Sequence, residues 1–241
     1  RQPRSTLFPY TTLFRSNTDP EKQFLQEIRY MFNTTQFKEI QQQDRTGYIT
    51  KDGHIIHICF AGPAQSLEFL PDSIGNLPYL ETLSFTQASI VTINSSISRL
   101  PNLKMLYLKY CPKLIEISPD IQNLKSLEVL YIAGNYQLNS IPDTIANLPN
   151  LGGLIIQFNP KVQIPKSIFS MQSLKTLNLS QSELKELPSE AKNLKNLTHL
   201  FLGTNKLTEI PPVVFEMENL NTLDLQHNQL TDISEIGRAH V

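Results

Sequence analysis

Residues 127–151, LEVLYIAGNYQLNSIPDTIANLPNL, decide how the rest of the chain is read. Apolar side chains fall at Leu127, Leu130 and Ile132, and an asparagine follows at Asn135. Leu138, Ile141, Ile145 and Leu148 come next, before Leu151 starts the series again. Leucines equivalent to Leu127 stand at Leu80, Leu103, Leu151, Leu174, Leu197 and Leu220, so that every step is 23 or 24 residues. A period this regular marks an internal repeat. Within one copy, Leu130 and Ile132 alternate onto one face of a strand while Val129 and Tyr131 take the other. A single copy cannot bury its own leucines, whereas stacked copies share a continuous core. At Ile141-Pro142 the proline fixes φ and has no N–H to give to a ladder, so the strand cannot run on and the chain turns.

The order L-x-x-L-x-L-x-x-N, followed by a leucine, Leu/Ile-Pro and I-x-x-L, resembles the leucine-rich-repeat family in its L-P-x-x-I-x-x-L variant, over residues 55–233. The resemblance implies an α/β solenoid with a concave parallel β-sheet and a convex face of 3₁₀ or short helical turns. About eight repeats are expected over residues 55–234, with strands beginning near Ile55 and then near each anchor leucine. Leu83, Leu106, Leu130, Leu154, Leu177, Leu200 and Leu223 should form one buried column. In the family the repeat asparagine bonds backbone groups of adjoining loops and forms a ladder along the solenoid. Asn135, Asn159, Asn205 and Asn228 fit that role, and Ala88, Cys111 and Ser182 replace it. Ala88 has no side-chain donor or acceptor, so a looser turn is expected there, a buried unpaired amide costing about 1–3 kcal/mol.

Residues 17–54 read as an N-terminal cap. Asp19, Pro20 and Glu21 make a helix start, and Phe24, Leu25, Ile28, Met31 and Phe32 follow with helical spacing. Phe37 and Ile40 suggest a second short helical piece. Lys51-Asp52-Gly53 lies between two strand-like runs, and Asp-Gly predicts a tight hairpin whose first strand covers the open sheet edge. Residues 1–16 and 235–241 read as non-native tails. Residues 6–16, TLFPYTTLFRS, and 235–241, EIGRAHV, are in-frame translations of common sequencing-adapter DNA. Setting aside their four arginines and one glutamate leaves about 17 basic and 21 acidic residues, mildly acidic and unsuited to nucleic acid or anionic lipid. No membrane span is evident. The two cysteines, Cys59 and Cys111, fall two strands apart with Cys59 facing out and Cys111 in. A disulfide between them is excluded, which leans towards a reducing compartment while leaving localisation open.

No catalytic motif appears. His54, His57 and Cys59 fall together, but a metal site wants four ligands, or three and a water, and no further His or Cys is near, so a solvent-facing pair is the better reading. His199 and His227 lack repeated acidic partners, Gly152-Gly153 lies in a strand, and no phosphate loop or nucleophile elbow is present. The reading is therefore of a non-enzymatic module with no metal and no cofactor. Function is expected on the concave face, whose middle is apolar: Tyr107, Tyr131 and Ile155 share one position in three successive repeats, with Met105 and Val129 on one side and Tyr110 and Phe158 on the other. Lys104, Lys109, Glu81 and Glu128 supply a charged rim. This pattern points to a protein or peptide partner. Two other readings stay open: a substrate-recognition arm of a larger enzyme such as a kinase or ubiquitin ligase, and a structural or adhesion array. The solenoid is expected to be a monomer, or to associate weakly through an uncapped C-terminal edge exposing Leu230 and Ile233.

Overall fold

The computed structural model describes residues 19–32, 37–41, 45–62 and 67–231. The proposed tails, Ile233 and the polar segment at 42–44 lie outside them. In chain order the elements are helix α1 (Pro20–Phe32), the hairpin strands β1 (Gly47–Lys51) and β2 (His54–Ala61), and then β3 (Thr82–Thr86), β4 (Thr92–Ile93), β5 (Met105–Lys109) and β6 (Glu116–Ile117). The series ends with β7 (Val129–Ala133), β8 (Gly153–Gln157), β9 (Thr176–Asn178), β10 (His199–Phe201) and β11 (Thr222–Asp224). Nine strands form one sheet in the order β1-β2-β3-β5-β7-β8-β9-β10-β11, all neighbours from β2 onward being parallel and in sequence order. The short strands β4 and β6 pair on the opposite side.

Register follows the repeat. Ile58, Leu83, Leu106, Leu130, Leu154, Leu177, Leu200 and Leu223 stand side by side across the eight parallel strands. All but the last are fully buried. Leu223 is 36% exposed because β11 has no further strand beside it among the described residues, which corrects the expectation of a column buried to its end. Leu230, also at this end, is only partly buried, as expected.

In the main sheet, each strand from β2 to β10 is followed by a 3₁₀ turn on the convex side, such as Asp143–Asn147 or Lys166–Ser170. The preceding Pro142 and Pro165 are extended, and the closing N–H of Leu148 or Met171 donates back to the carbonyl of Ile145 or Ile168, the i→i+3 bond of a 3₁₀ turn. Those isoleucines point inward and complete the core from the convex side.

The asparagine ladder is present in detail. Asn135 donates to the Leu108 carbonyl at 2.9 Å and accepts from the Cys111 amide at 2.9 Å. Its own amide donates to Asn159 Oδ1 at 2.8 Å, and Asn159 in turn reaches the Ile132 carbonyl at 2.8 Å. Ser182 and Cys111 keep the ladder with shorter reach, donating to the carbonyls of Ile156 and Phe85. The loosened turn expected at Ala88 is absent. The Ala88 backbone lies against the Cys111 thiol of the next repeat, and the turn keeps the form of the others. Gln87, just before it, has φ 55°, as Tyr110, Phe158, Gln181, Thr204 and His227 have φ of 54–56° at the same place in their repeats.

A second ladder lies at the opposite end of the strands. From Leu103 onward, the residue before each anchor leucine bonds a carbonyl of the preceding repeat: Asn102 to Pro78, Ser126 to Pro101, Asn150 to Lys125, Ser173 to Leu151, Asn196 to Gln172 and Asn219 to Lys195, all within 2.7–2.9 Å.

At the start of the solenoid, Asp19 accepts from the Glu21 amide and so caps α1, whose Phe24 and Ile28 are fully buried while Met31 is 40% exposed at its end. Glu21 reaches across to accept from the Ile55 amide at 3.0 Å. The hairpin turns on Asp52 and Gly53, both with positive φ, the two-residue geometry that Asp-Gly favours. β1 covers one edge of the sheet. The second helical piece expected at Phe37 and Ile40 is an extended segment instead. Glu39 bridges Tyr48, and the Ile40 amide donates to the Tyr48 carbonyl, because pairing with β1 satisfies more backbone than one isolated helical turn could. Phe37 is thereby stacked on Phe60, with centroids 5.4 Å apart.

Candidate functional site

The side chains that alternate away from the leucine column form rows across the concave face. Met105, Val129, Gly153 and Thr176 make one row, and Tyr107, Tyr131, Ile155 and Asn178 make the next. In a third row stand Lys109, Ala133 and Gln157. Five of the seven expected residues, Met105, Val129, Tyr107, Tyr131 and Ile155, are thus direct neighbours, all partly exposed. The other two are set apart from them. Tyr110 and Phe158 occupy the left-handed position after the strand, beyond the third row and two repeats from each other. The position between them is Gly134 (φ 69°), and the Tyr110 ring fills the space over it: a Cβ there would stand 2.3 Å from the ring. Residue type alone does not show this conformation, because Gln87, Gln181, Thr204 and His227, four quite different side chains, adopt it at the same place in their repeats.

Lys109 is the main correction to the expected geometry. Rather than standing on the rim, its long side chain folds back across the sheet and sets Nζ over the Tyr107 ring at 4.6 Å and the Tyr131 ring at 5.0 Å. Two electron-rich ring faces attract one ammonium, each such contact giving about 0.5–1 kcal/mol at an exposed site. The two rings are 5.9 Å apart and tilted. Their hydroxyls are also held: Tyr107 donates to Met105 Sδ at 3.3 Å, and Gln157 Nε2 donates to the Tyr131 hydroxyl at 2.5 Å while Asn178 steadies the same glutamine at 3.2 Å. Burial pushes the Tyr131 phenol above its ordinary pKa, helped by the phenols of Tyr110 and Tyr107. Among the described residues Lys109 forms no ion pair, whereas Lys104 on the rim is matched by Glu81 at 3.0 Å. The centre is therefore apolar and aromatic, pre-set by hydrogen bonds, with one positive charge laid over it.

Chemistry beyond binding finds little support. His57 and Cys59 are buried rather than solvent-facing, since β2 is flanked on both sides by β1 and β3, and short side chains in an inner strand are covered by their neighbours. Cys59 and Cys111 are both buried and form no disulfide. Burial pushes the Cys111 thiol up to about 12, outweighing the backbone contacts of Ala88 and Lys109, so it is neither a nucleophile nor a metal ligand at neutral pH. Among the described residues no three His, Cys, Asp or Glu side chains converge on a metal position, and no helix is long and apolar enough to cross a membrane. A shallow hollow of about 480 Å³ lies between Gln172, Ser173, Lys175, Asn196, Thr198 and Asn219, but Ser173, Asn196 and Asn219 already spend their side chains on the second ladder.

Family profiles agree with this architecture. The profile described as leucine rich repeat matches residues 149–207 and 195–237, and that described as leucine rich repeats in two copies matches residues 101–150. The chain belongs to the leucine-rich-repeat family. Among solved structures this leucine-rich-repeat chain is similar to a leucine-rich-repeat protein of Leptospira interrogans, with 30% identity over 73% of the chain and 44% of that protein, and a TM-score of 0.66. Internalin C2 of Listeria monocytogenes is 21% identical over 70% of the chain and 71% of its own, with a TM-score of 0.57. The plant peptide hormone receptor RGFR1, solved in complex with RGF2, is 24% identical over 75% of the chain and 36% of its own, with a TM-score of 0.50. At these two identities the likeness is one of fold. The chain spans less than two thirds of the Leptospira protein and of the plant receptor. No curated protein matches it in sequence.

Proposed function

We propose that this leucine-rich-repeat chain is a protein- or peptide-binding module that holds its partner on the concave face, around Met105, Tyr107, Val129, Tyr131 and Ile155, with Tyr110 and Phe158 on the flank. The observation that carries this reading is the Tyr107–Tyr131 pair under Lys109, its hydroxyls fixed by Met105 and Gln157. Nothing in the core needs these side chains, because the leucine column behind them is complete without them. Rigid aromatics lose little entropy on binding, and Tyr-centred patches with a polar rim are where binding energy concentrates. A plant receptor of the same fold is known in complex with a peptide hormone, which makes a peptide a reasonable class of partner here. The test is to select binders from a random peptide-display library and measure their affinity for variants. Tyr131→Ala should weaken them by about 2 kcal/mol or more, roughly thirtyfold, without lowering the melting temperature, and Thr222→Ala should change neither. Equal, small effects from both substitutions would rule the patch out.

A further inference from the structure

Glycine recurs twice in succession at the start of β8, and neither residue is required there by the backbone. Gly152 and Gly153 are not among the positive-φ residues. A Cβ on Gly152 would come no closer than 3.9 Å to another residue, and one on Gly153 no closer than 3.6 Å, to Val129 Cγ2, both ordinary contacts. By contrast, a Cβ on Gly75 would strike the Ser96 carbonyl at 2.3 Å, and one on Gly134 the Tyr110 ring. Glycine inside a strand weakens it and often marks a place where another backbone approaches closely. Here its effect is local and geometric. Gly152 breaks the charged row in which Glu128 and Lys175 are its neighbours, and Gly153 leaves a gap between Val129 and Thr176. The rim is open at this one repeat, and the gap leads to the side of Ile155. From strand spacing and rise, the gap lies on the order of 10 Å from the Lys109 ammonium, the reach of about three extended residues.

Resting on the binding reading above, we infer that the concave face takes an extended acidic peptide segment. Its backbone or a small apolar side chain seats in the notch at Gly152 and Gly153, and a carboxylate about three residues away meets Lys109. Charge complementarity commits the second contact: Lys109 has a ring on two sides and no carboxylate partner among the described residues, whereas Lys104 and Lys113 are each neutralised within 3.0 Å. An ammonium already oriented by two rings gives a carboxylate a charge-assisted bond with little further ordering.

The experiment uses random twelve-residue peptides displayed on phage, panned against the full chain, with enriched sequences resynthesised both as found and with every Asp and Glu changed to its amide. Enriched peptides should bind wild type, lose at least tenfold in affinity on acid-to-amide exchange and on Lys109→Met, and lose at least tenfold on Gly153→Val. The Gly153→Val protein should melt no lower than wild type, since a β-branched residue suits the strand. If that variant is unstable, Gly153→Ala serves instead and should still cost several-fold. Peptides that depend on Tyr131 but bind Gly153→Val and Lys109→Met as well as wild type would overturn this inference and leave the binding surface standing. Peptides indifferent to Tyr131 as well would overturn both. Failure to enrich any acidic peptide would also overturn it.

Discussion

Asn159 shows how much one side chain carries. Its oxygen takes the Asn135 amide and its nitrogen serves the carbonyls of Ile132 and Gln157, all within 2.8 Å, so three backbone groups of two repeats depend on it. Asn159→Ala should therefore cost at least about 1–3 kcal/mol, since a buried donor is left without a partner. Asn219→Ala, in the exposed second ladder, should cost no more than about 0.5 kcal/mol. Urea titration of the two variants checks the contrast, and equal losses would deny the buried ladder its role. Cys111 offers a pH test. Its folded pKa is raised from 9.0 to about 12 by burial, so the stability it contributes is whole below pH 9 and is lost as pH rises towards 12. Wild type should accordingly lose ground against Cys111→Ser above pH 9, by up to about 1.4 kcal/mol per pH unit, and hold a constant gap below it. A gap that stays constant from pH 7 to 10.5 would contradict the assignment. At this scale the sequence announced the asparagines because their position recurs. It was silent on the turn at Ala88, because what lies against that backbone is the Cys111 thiol, one repeat away.

The strands and their register were legible because a 23- or 24-residue period leaves one way to stack the leucines, and a one-residue slip would turn every one of them to solvent. Leu130, fully buried between Leu106 and Leu154, tests that packing directly. Leu130→Ala should cost about 2–5 kcal/mol through lost apolar contact and the cavity left behind, measured by thermal or chemical unfolding, and a cost under about 1 kcal/mol would mean the column is not packed as described. The hairpin was equally readable from Asp52-Gly53, because few dipeptides accept two successive positive φ values. Phe37 and Ile40 were not. Their spacing fits a turn of helix, and what decides against it is the carbonyl of Tyr48, a residue whose position depends on the fold being formed already. Lys109 failed for a related reason. A five-residue strand fixes where its Cα sits, but four rotatable bonds let the ammonium reach rings on its own strand and the next, and only the tertiary arrangement of Tyr107 and Tyr131 selects that rotamer.

Across the whole molecule the core and the concave face divide the labour. The leucine column, the convex isoleucines and the two side-chain ladders account for stability, which leaves the outward rows free to vary, and variation along them is what sets the middle repeats apart. Towards β9, β10 and β11 the same rows turn mostly polar, with Thr176, Asn178, His199, Thr222 and Asp224 in place of Met105, Tyr107, Val129 and Tyr131, and Phe201 on β10 as the aromatic exception. The face thus has an apolar, aromatic centre at β5, β7 and β8, a notch at Gly153 and a positive charge at Lys109, all within a few repeats. The most direct test of that account is amide hydrogen exchange of the full chain with and without a selected peptide. Because the outer ends of these strands are the part of the sheet a bound segment would shield, protection should rise on residues 104–110, 128–134 and 152–158 and stay unchanged on the convex turns Asp143–Asn147 and Lys166–Ser170. Protection confined to the convex turns or to β10 and β11, with β5, β7 and β8 unaltered, would contradict it.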